Sequence, residues 1–206
     1  MIAMLMILAT ITFVSMMSPG PDMMLVVKYS GTQERWPAVV CIAGICCGLS
    51  IHVTLSILGI AAVIAASATI YSIIKLLGAG YLIYIGFKSL VSEGGFNLDK
   101  TGNKSINNRA TPFRDGLLCN VLNPKVTLFI LAVFTQIVEP STPVFDKIIY
   151  GCFIIFEVFV VWNIFVSFIR IKLILKQIQK FQIIINRIVG VVLIGFGGLL
   201  ALDEGQ

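Results

Sequence analysis

Charge is what this sequence has least of. Of its 206 residues only 12% are charged and 58% are hydrophobic, whereas soluble domains run near a quarter charged. Residues 1–21 hold no charged side chain, and neither do the 39 residues between Arg35 and Lys75. A spanning helix takes about 20 residues, so the second run must hold most of two spans and a tight reversal. A soluble protein of this size is too small to bury that much apolar surface, which leaves a chain lying in lipid. Histidine is nearly missing too. The lone His52 and the five cysteines, Cys41, Cys46, Cys47, Cys119 and Cys152, show neither metal-ligand spacing nor a secreted disulfide framework. No basic region precedes the first apolar run, and no small-residue cleavage site follows it, so the run reads as a retained span rather than a signal peptide.

What is present is organised around Ser18-Pro19-Gly20-Pro21-Asp22, a broken and charged stretch after an unbroken apolar run. Pro19 and Pro21 have no backbone donor, so they free the carbonyls they would have paired with. An aspartate in mid-span costs roughly 2.5–3.5 kcal/mol. Chains place such groups in membranes where a site needs them.

Six spans follow from the apolar runs, at about 2–29, 36–64, 70–91, 113–138, 144–169 and 181–202. Residues 65–69 read as a reversal, residues 92–112 as the one long loop, and residues 139–143 as a turn. The fourth span has its own break, Asn123-Pro124-Lys125. Twelve Lys and Arg residues lie on the side of the long loop, against Lys75 and Lys147 on the other. That bias puts the loop in the cytoplasm and both termini outside. Between the last two spans Lys172, Lys176 and Lys180 fall four apart, as on an interfacial helix resting on an anionic leaflet. The positive-inside bias already accounts for these charges, and no nucleic-acid partner is expected.

Spans three and six superpose at an offset of 112, matching Lys75 to Arg187, Gly78 to Gly190 and Gly86 to Gly198. Pro21-Asp22 answers Pro124-Lys125 at an offset of 103, and Gly44 answers Gly151 at 107. A repeat of three spans is odd-numbered, so its two copies insert in opposite senses. The expected fold is an all-α integral membrane protein of six transmembrane helices in a single domain. Two inverted three-helix repeats (about 1–91 and 113–206) would flank the cytoplasmic loop 92–112, with helices one and four broken. Inverted repeats with broken helices in matching positions point to a secondary transporter whose site lies between the halves.

These residues resemble the LysE/RhtB family of bacterial amino-acid exporters, over nearly the whole chain. The likeness rests on Ser18-Pro19-Gly20-Pro21-Asp22 and Asn123-Pro124-Lys125. Gly44, Gly48, His52 and Gly59 support it, as do the run from Lys75 through Gly78, Gly80, Tyr81 and Tyr84 to Gly86, and then Gly190, Gly195 and Gly198. Trp36-Pro37 departs from the small or glycine-rich start that span two often has in similar members. The resemblance implies export of amino acids or close derivatives across a bacterial inner membrane, driven by an ion gradient rather than ATP. It fixes neither the amino acid nor the coupling ion.

The expected substrate-binding residues are Pro19, Gly20, Pro21, Asp22, Asn123, Pro124 and Lys125. Asp22 can hold a substrate or proton, or simply satisfy the N–H groups of the half-helix it opens. Lys125 puts a cation at the positive end of a half-helix, which is unfavourable without an anion nearby. The anion can be Asp22, as a structural ion pair, or a substrate carboxylate. One scheme uses both in turn: Asp22 and Lys125 interact in the empty protein, directly or through water, and an incoming amino acid then places its ammonium toward Asp22 and its carboxylate on Lys125. Asp22 and Glu157 are the proton-coupling candidates, Glu157 being otherwise an interhelical contact. His52, Asn120 and Asn163 either line the pore or pack between helices. No cofactor and no resident metal are expected. The expected partners are an amino-acid substrate, a coupling ion and membrane lipid, with a homo-oligomer left open. The alternative reading is a heavy-metal cation exporter of a related family, although the adjacent Cys46-Cys47 pair is too little to bind a metal. An intramembrane enzyme would need paired catalytic groups, which the spans do not offer. A scaffold without transport would leave the buried Lys125 costly and idle.

Overall fold

The computed structural model describes residues 2–18, 20–31, 34–92, 110–137, 141–169 and 172–202. Within these it gives side chains other than those of 61, 63–66, 68, 137, 172–180 and 200. Eight helices make up the described chain: α1 (Ile2–Met17), α2 (Pro21–Ser30), α3 (Trp36–Ala66), α4 (Ala68–Leu90), α5 (Ala110–Val121), α6 (Pro124–Ile137), α7 (Val144–Ile169) and α8 (Lys172–Leu202). Four helices are long and apolar enough to cross a membrane. The pairs α1–α2 and α5–α6, bent by 69° and 57°, raise the number of crossings to as many as six. Large apolar side chains such as Leu58, Leu77, Phe156 and Val191 stand exposed around the outside, which suits lipid and not water. This is a multi-pass membrane protein.

The breaks fall where the prolines are. Pro21 and Pro124 each open a helix, at a first-turn position where the missing N–H costs nothing. The reversal after α3 turns on Ser67, whose Oγ accepts from the Ile70 N–H at 3.4 Å and caps α4. Two expectations need correction. Span four begins at Ala110, inside the expected loop, because Pro112 belongs to the first turn of α5 instead of ending the loop. Span six is part of one 31-residue helix starting at Lys172, so no separate interfacial helix precedes it. The lysine face of that stretch and loop residues 93–109 lie outside the described residues.

Glycine draws three helix pairs close along their backbones: α3 with α5, α4 with α8 and, through Gly78 against Ala132, α4 with α6. α3 runs parallel to α5, with Gly44 and Gly48 against Gly116 and Asn120. A Cβ on Gly44 would fall on the Phe113 carbonyl, and one on Gly116 would fall on the Cys41 carbonyl. α4 runs antiparallel to α8, with Gly86 against Gly190 and Ala79 against Gly197. Lipid gives helices little hydrophobic reason to associate, and small residues let their backbones approach closely enough for dispersion and weak hydrogen bonds to hold them. α4 is also tied to α6, where Gln136 Nε2 donates to Lys75 O at 2.7 Å and Tyr71 Oη donates to Thr135 O at 3.0 Å. Leu8, Ile11, Ile42, Ile45, Ile130, Val133 and Ile154 form the buried centre that α1, α3, α6 and α7 share.

Candidate functional site

Each break leaves unpaired groups at its ends, and the structure brings the breaks together so that they satisfy one another. Asp22 sits in the first turn of α2, after Gly20, whose extended backbone occupies the N-cap with no side chain to cap it. The Asp22 carboxylate turns to the end of α5 and the second break. Asn120 Nδ2 donates to it at 2.8 Å, Asn123 Nδ2 at 3.3 Å and Cys119 Sγ at 3.4 Å. Lys125 reaches the other way. Its Nζ donates to Ser18 O at 2.8 Å and to Ser15 O at 3.0 Å.

The Lys125 contact has a specific cause. In an unbroken helix Ser15 O would accept from residue 19, but proline there has no N–H. The carbonyls at the C-terminal end of α1 carry the negative end of its dipole, and the ammonium takes them. The same event occurs in the second break. Pro124 leaves Asn120 O without its helical donor, and His52 Nε2 lies 3.1 Å from that oxygen. A carbonyl only accepts, so Nε2 carries the proton. Asn123 caps α6 by accepting from the Lys125 N–H at 3.1 Å.

Of the expected interaction between Asp22 and Lys125, direct or through water, the direct form is not made: among the described residues no ion pair joins them. Each charge is held by polar groups of the opposite break, because open helix ends lie closer to hand than the other charge. Neither group is used up. An ammonium has three donors and Lys125 spends two on carbonyls; a carboxylate has room for about four acceptor bonds and Asp22 takes three.

Between the breaks lies a cavity of about 70 Å³, bordered by Ser15, Ser18, Gly20 and Asp22 from the first break and Asn120, Asn123 and Lys125 from the second. The remaining wall is largely apolar, including Leu49, Phe129, Ile130, Val158 and Trp162. A few convergent polar groups on an apolar lining are the chemistry of a site for a small organic ligand. Two buried polar atoms on its wall, Thr12 Oγ1 and Asn120 Oδ1, have no hydrogen-bond partner.

Of the other residues expected here, Pro19 lies outside the described residues. Pro21 and Pro124 open their helices without bordering the cavity. His52 is buried and faces the Asn120 carbonyl, and it does not border the cavity. Asn163 also stands away from it, its Nδ2 donating to Phe159 O of its own helix at 2.8 Å. Glu157 sits on α7 beside the cavity-lining Val158. It does not border the cavity, and its Oε2 is buried without a partner.

Two further clusters lie on the helices that border the cavity. Two turns along α2 from Asp22, Tyr29 Oη donates to Asp115 Oδ2 at 2.7 Å. Lys28 Nζ stands 3.9 Å from the same oxygen, and Arg114 lies 3.7 Å from Oδ1. In the second cluster Leu8, Val133, Phe134 and Tyr150 pack together. Sequence reasoning missed Ser15 and Ser18, although Pro19 signals a freed carbonyl at residue 15. It also missed Asp115 and Thr12. No pattern marks a hydroxyl inside an apolar run as a site residue.

The chain is similar to several bacterial membrane proteins. The membrane protein YrhP of Bacillus subtilis (strain 168) is 34% identical over 206 residues, covering 93% of this chain and 96% of its own. The homoserine/homoserine lactone efflux protein of Salmonella typhimurium (strain LT2) is 31% identical over 136 residues, 66% of this chain and 65% of its own. The threonine efflux protein of Escherichia coli (strain K12) is 25% identical over 203 residues, 96% and 97% of the two chains. No solved structure matches. Residues 13–204 match the LysE type translocator family, a stretch that holds both breaks, and the chain belongs to that family.

Proposed function

We propose that this protein exports amino acids or close derivatives from the cytoplasm as an ion-coupled secondary transporter, with its substrate held between the two breaks. The observation that carries this reading is the cavity flanked by Asp22 and Lys125, each with unused bonding capacity. An amino acid places its carboxylate on the third Lys125 donor and its ammonium on Asp22. The efflux functions in the names of the Salmonella and Escherichia relatives support the same substrate class.

In this reading the chain lies in a bacterial inner membrane as one domain of two inverted three-helix repeats, 1–91 and 113–206. The loop 92–112 is cytoplasmic and both termini are outside. Protons are the coupling ion, with Asp22 and Glu157 as carriers. Glu157 suits this role because its buried Oε2 has no protein partner. A homo-oligomer is compatible with it. No specific observation favours the metal-cation alternative: among the described residues no three His, Cys, Asp or Glu side chains gather.

The test is transport in proteoliposomes carrying an imposed pH gradient. Lys125→Met and Asp22→Asn are each expected to lower export by at least about a hundredfold, the loss of a charge-assisted contact together with a group left buried and unpaired. Wild-type export and affinity in either variant defeats the proposed site. Undiminished gradient-driven export in Glu157→Gln defeats the coupling role of Glu157 alone.

A further inference from the structure

Taking the exporter reading as its basis, we propose that Lys147 forms a second carboxylate-binding site, on the outer side of the cavity, which receives the departing amino acid. Three observations lead there. The first is the order of residues along three helices. On α1 Leu8 precedes the cavity-lining Thr12, and on α7 Tyr150 precedes the cavity-lining Ile154. On α6 Val133 and Phe134 follow the cavity-lining Ile130. In the exporter reading α1 and α7 start outside and α6 ends outside. All three helices then put the packed group of Leu8, Val133, Phe134 and Tyr150 on the outer side of the cavity. Lys147 comes one turn further out on α7, about 4.5 Å beyond Tyr150 along the axis.

The second observation is burial without a partner. Lys147 is only 5% exposed and continues the buried stripe of α7 that holds Tyr150, Ile154 and Val158. Its neighbours Val144, Phe145 and Ile148 face outward. A lysine placed to reach lipid phosphate would share their face; this one is turned into the protein. Among the described residues no ion pair or side-chain hydrogen bond holds its ammonium, not even with the adjacent Asp146. Its one bond is from the backbone N–H to Pro143 O at 3.2 Å. A buried cation without an anion is costly, and a ligand that brings the anion recovers the loss.

The third is the helix end. Lys147 lies at the first turn of α7, where the positive end of the dipole already disfavours a cation. Lys125 stands in the like place on α6. Each lysine thus joins a helix start to an ammonium, a combination that suits a carboxylate. Side chains on a helix lean toward its N-terminus, which carries the Lys147 ammonium away from Tyr150 and toward the outer mouth. Lys125 holds the carboxylate in the cavity, and Lys147 takes it when the packed group between them opens. The negative end of the substrate then crosses that group with a cation on either side.

The experiment uses right-side-out membrane vesicles, in which the full-length protein keeps its natural orientation, with vesicles lacking it as the blank. They are loaded with isotope-labelled protein amino acids and homoserine, and efflux of each is followed by mass spectrometry while its unlabelled form is added outside. For every amino acid the wild type exports, the outside concentration that alters efflux half-maximally is expected to rise at least about tenfold in Lys147→Met. The KM for the loaded amino acid stays within about twofold, because the cavity is untouched, and Lys147→Arg keeps both values within about threefold. Lys147→Gln, a second neutral variant, is expected to follow Lys147→Met. An unchanged outside concentration in the neutral variants overturns the Lys147 site, as does an equal rise on both sides, which marks a change at the cavity. An outside amino acid without effect on wild-type efflux overturns it too. So does the absence of both neutral variants from the membrane, which would make Lys147 a structural residue. Each of these results leaves the exporter reading standing. A wild type that raises the efflux of none of these amino acids overturns that reading and this proposal together.

Discussion

The two breaks solve one problem with different parts. Each has a proline that frees a carbonyl four residues earlier, and each freed carbonyl is taken by a side chain from elsewhere in the fold. In the first break the taker is the charged Lys125, which borders the cavity; in the second it is His52, which does not. The second break is capped by its own Asn123, while the first has Gly20 at the equivalent place and no side-chain cap. The first break therefore depends on the second more than the reverse. The second supplies the cation and amides and is braced by α3; the first supplies open carbonyls and an acid. Opposite charges at matching positions are thus not interchangeable, because each is fitted to the open end it faces.

The sharpest way to break this comparison is to exchange the charges. Asp22→Lys combined with Lys125→Asp keeps one of each sign, yet sets a carboxylate against Ser15 O and Ser18 O and an ammonium against the amides of Asn120 and Asn123. Export is expected to vanish in a proteoliposome assay, and recovery by the double variant would show that only the net pair matters. His52→Leu removes one of the two donors to Asn120 O, which keeps the Asn123 N–H at 3.0 Å. It should lower stability by about 1 kcal/mol in detergent unfolding while leaving substrate affinity within about threefold, since His52 does not border the cavity. Asn123→Ala removes the cap of α6 and one donor to Asp22, at a cost of about 1 kcal/mol in stability with a weakened substrate KM. Gly20→Ser is the mildest change. It gives the first break the cap it lacks, and Gly20 already has the extended backbone a cap requires. A Cβ there meets Lys125 at an ordinary 3.6 Å. A gain of a few tenths of a kcal/mol in the same unfolding measurement is expected.

Much of the fold was legible because lipid makes apolar length a direct signal. The span 144–169 coincides with α7, and both breaks lie at the prolines that mark them. The start of α5 was not legible: Ala110-Thr111-Pro112 continues a polar loop in composition, and only tertiary packing against α3 makes it helical. In the site, Asp22, Asn120, Asn123 and Lys125 could be picked out as polar groups in lipid-length runs. Their partners could not, because backbone carbonyls have no letter in a sequence. The expectation that Asp22 or a substrate carboxylate answers Lys125 counted only ionic partners, and the open end of α1 supplies two carbonyls besides. Thr12 was hidden for a different reason, since an apolar run tolerates a threonine that bonds its own helix.

The glycine contacts carry a mechanical consequence. Where Gly44 meets Phe113 and Gly116 meets Cys41, and where Gly86 meets Gly190, backbones touch with no side chain between them to act as a bearing. Helices in such contact cannot slide by a fraction of a turn without collision, so α3 with α5 and α4 with α8 behave as stiff struts. α1 and α2 meet their neighbours through longer and softer side chains. α2 is the shorter lever of the two, with Asp22 near one end and Tyr29 near the other. A displacement at either end of that ten-residue lever is delivered to the other with little lost in between.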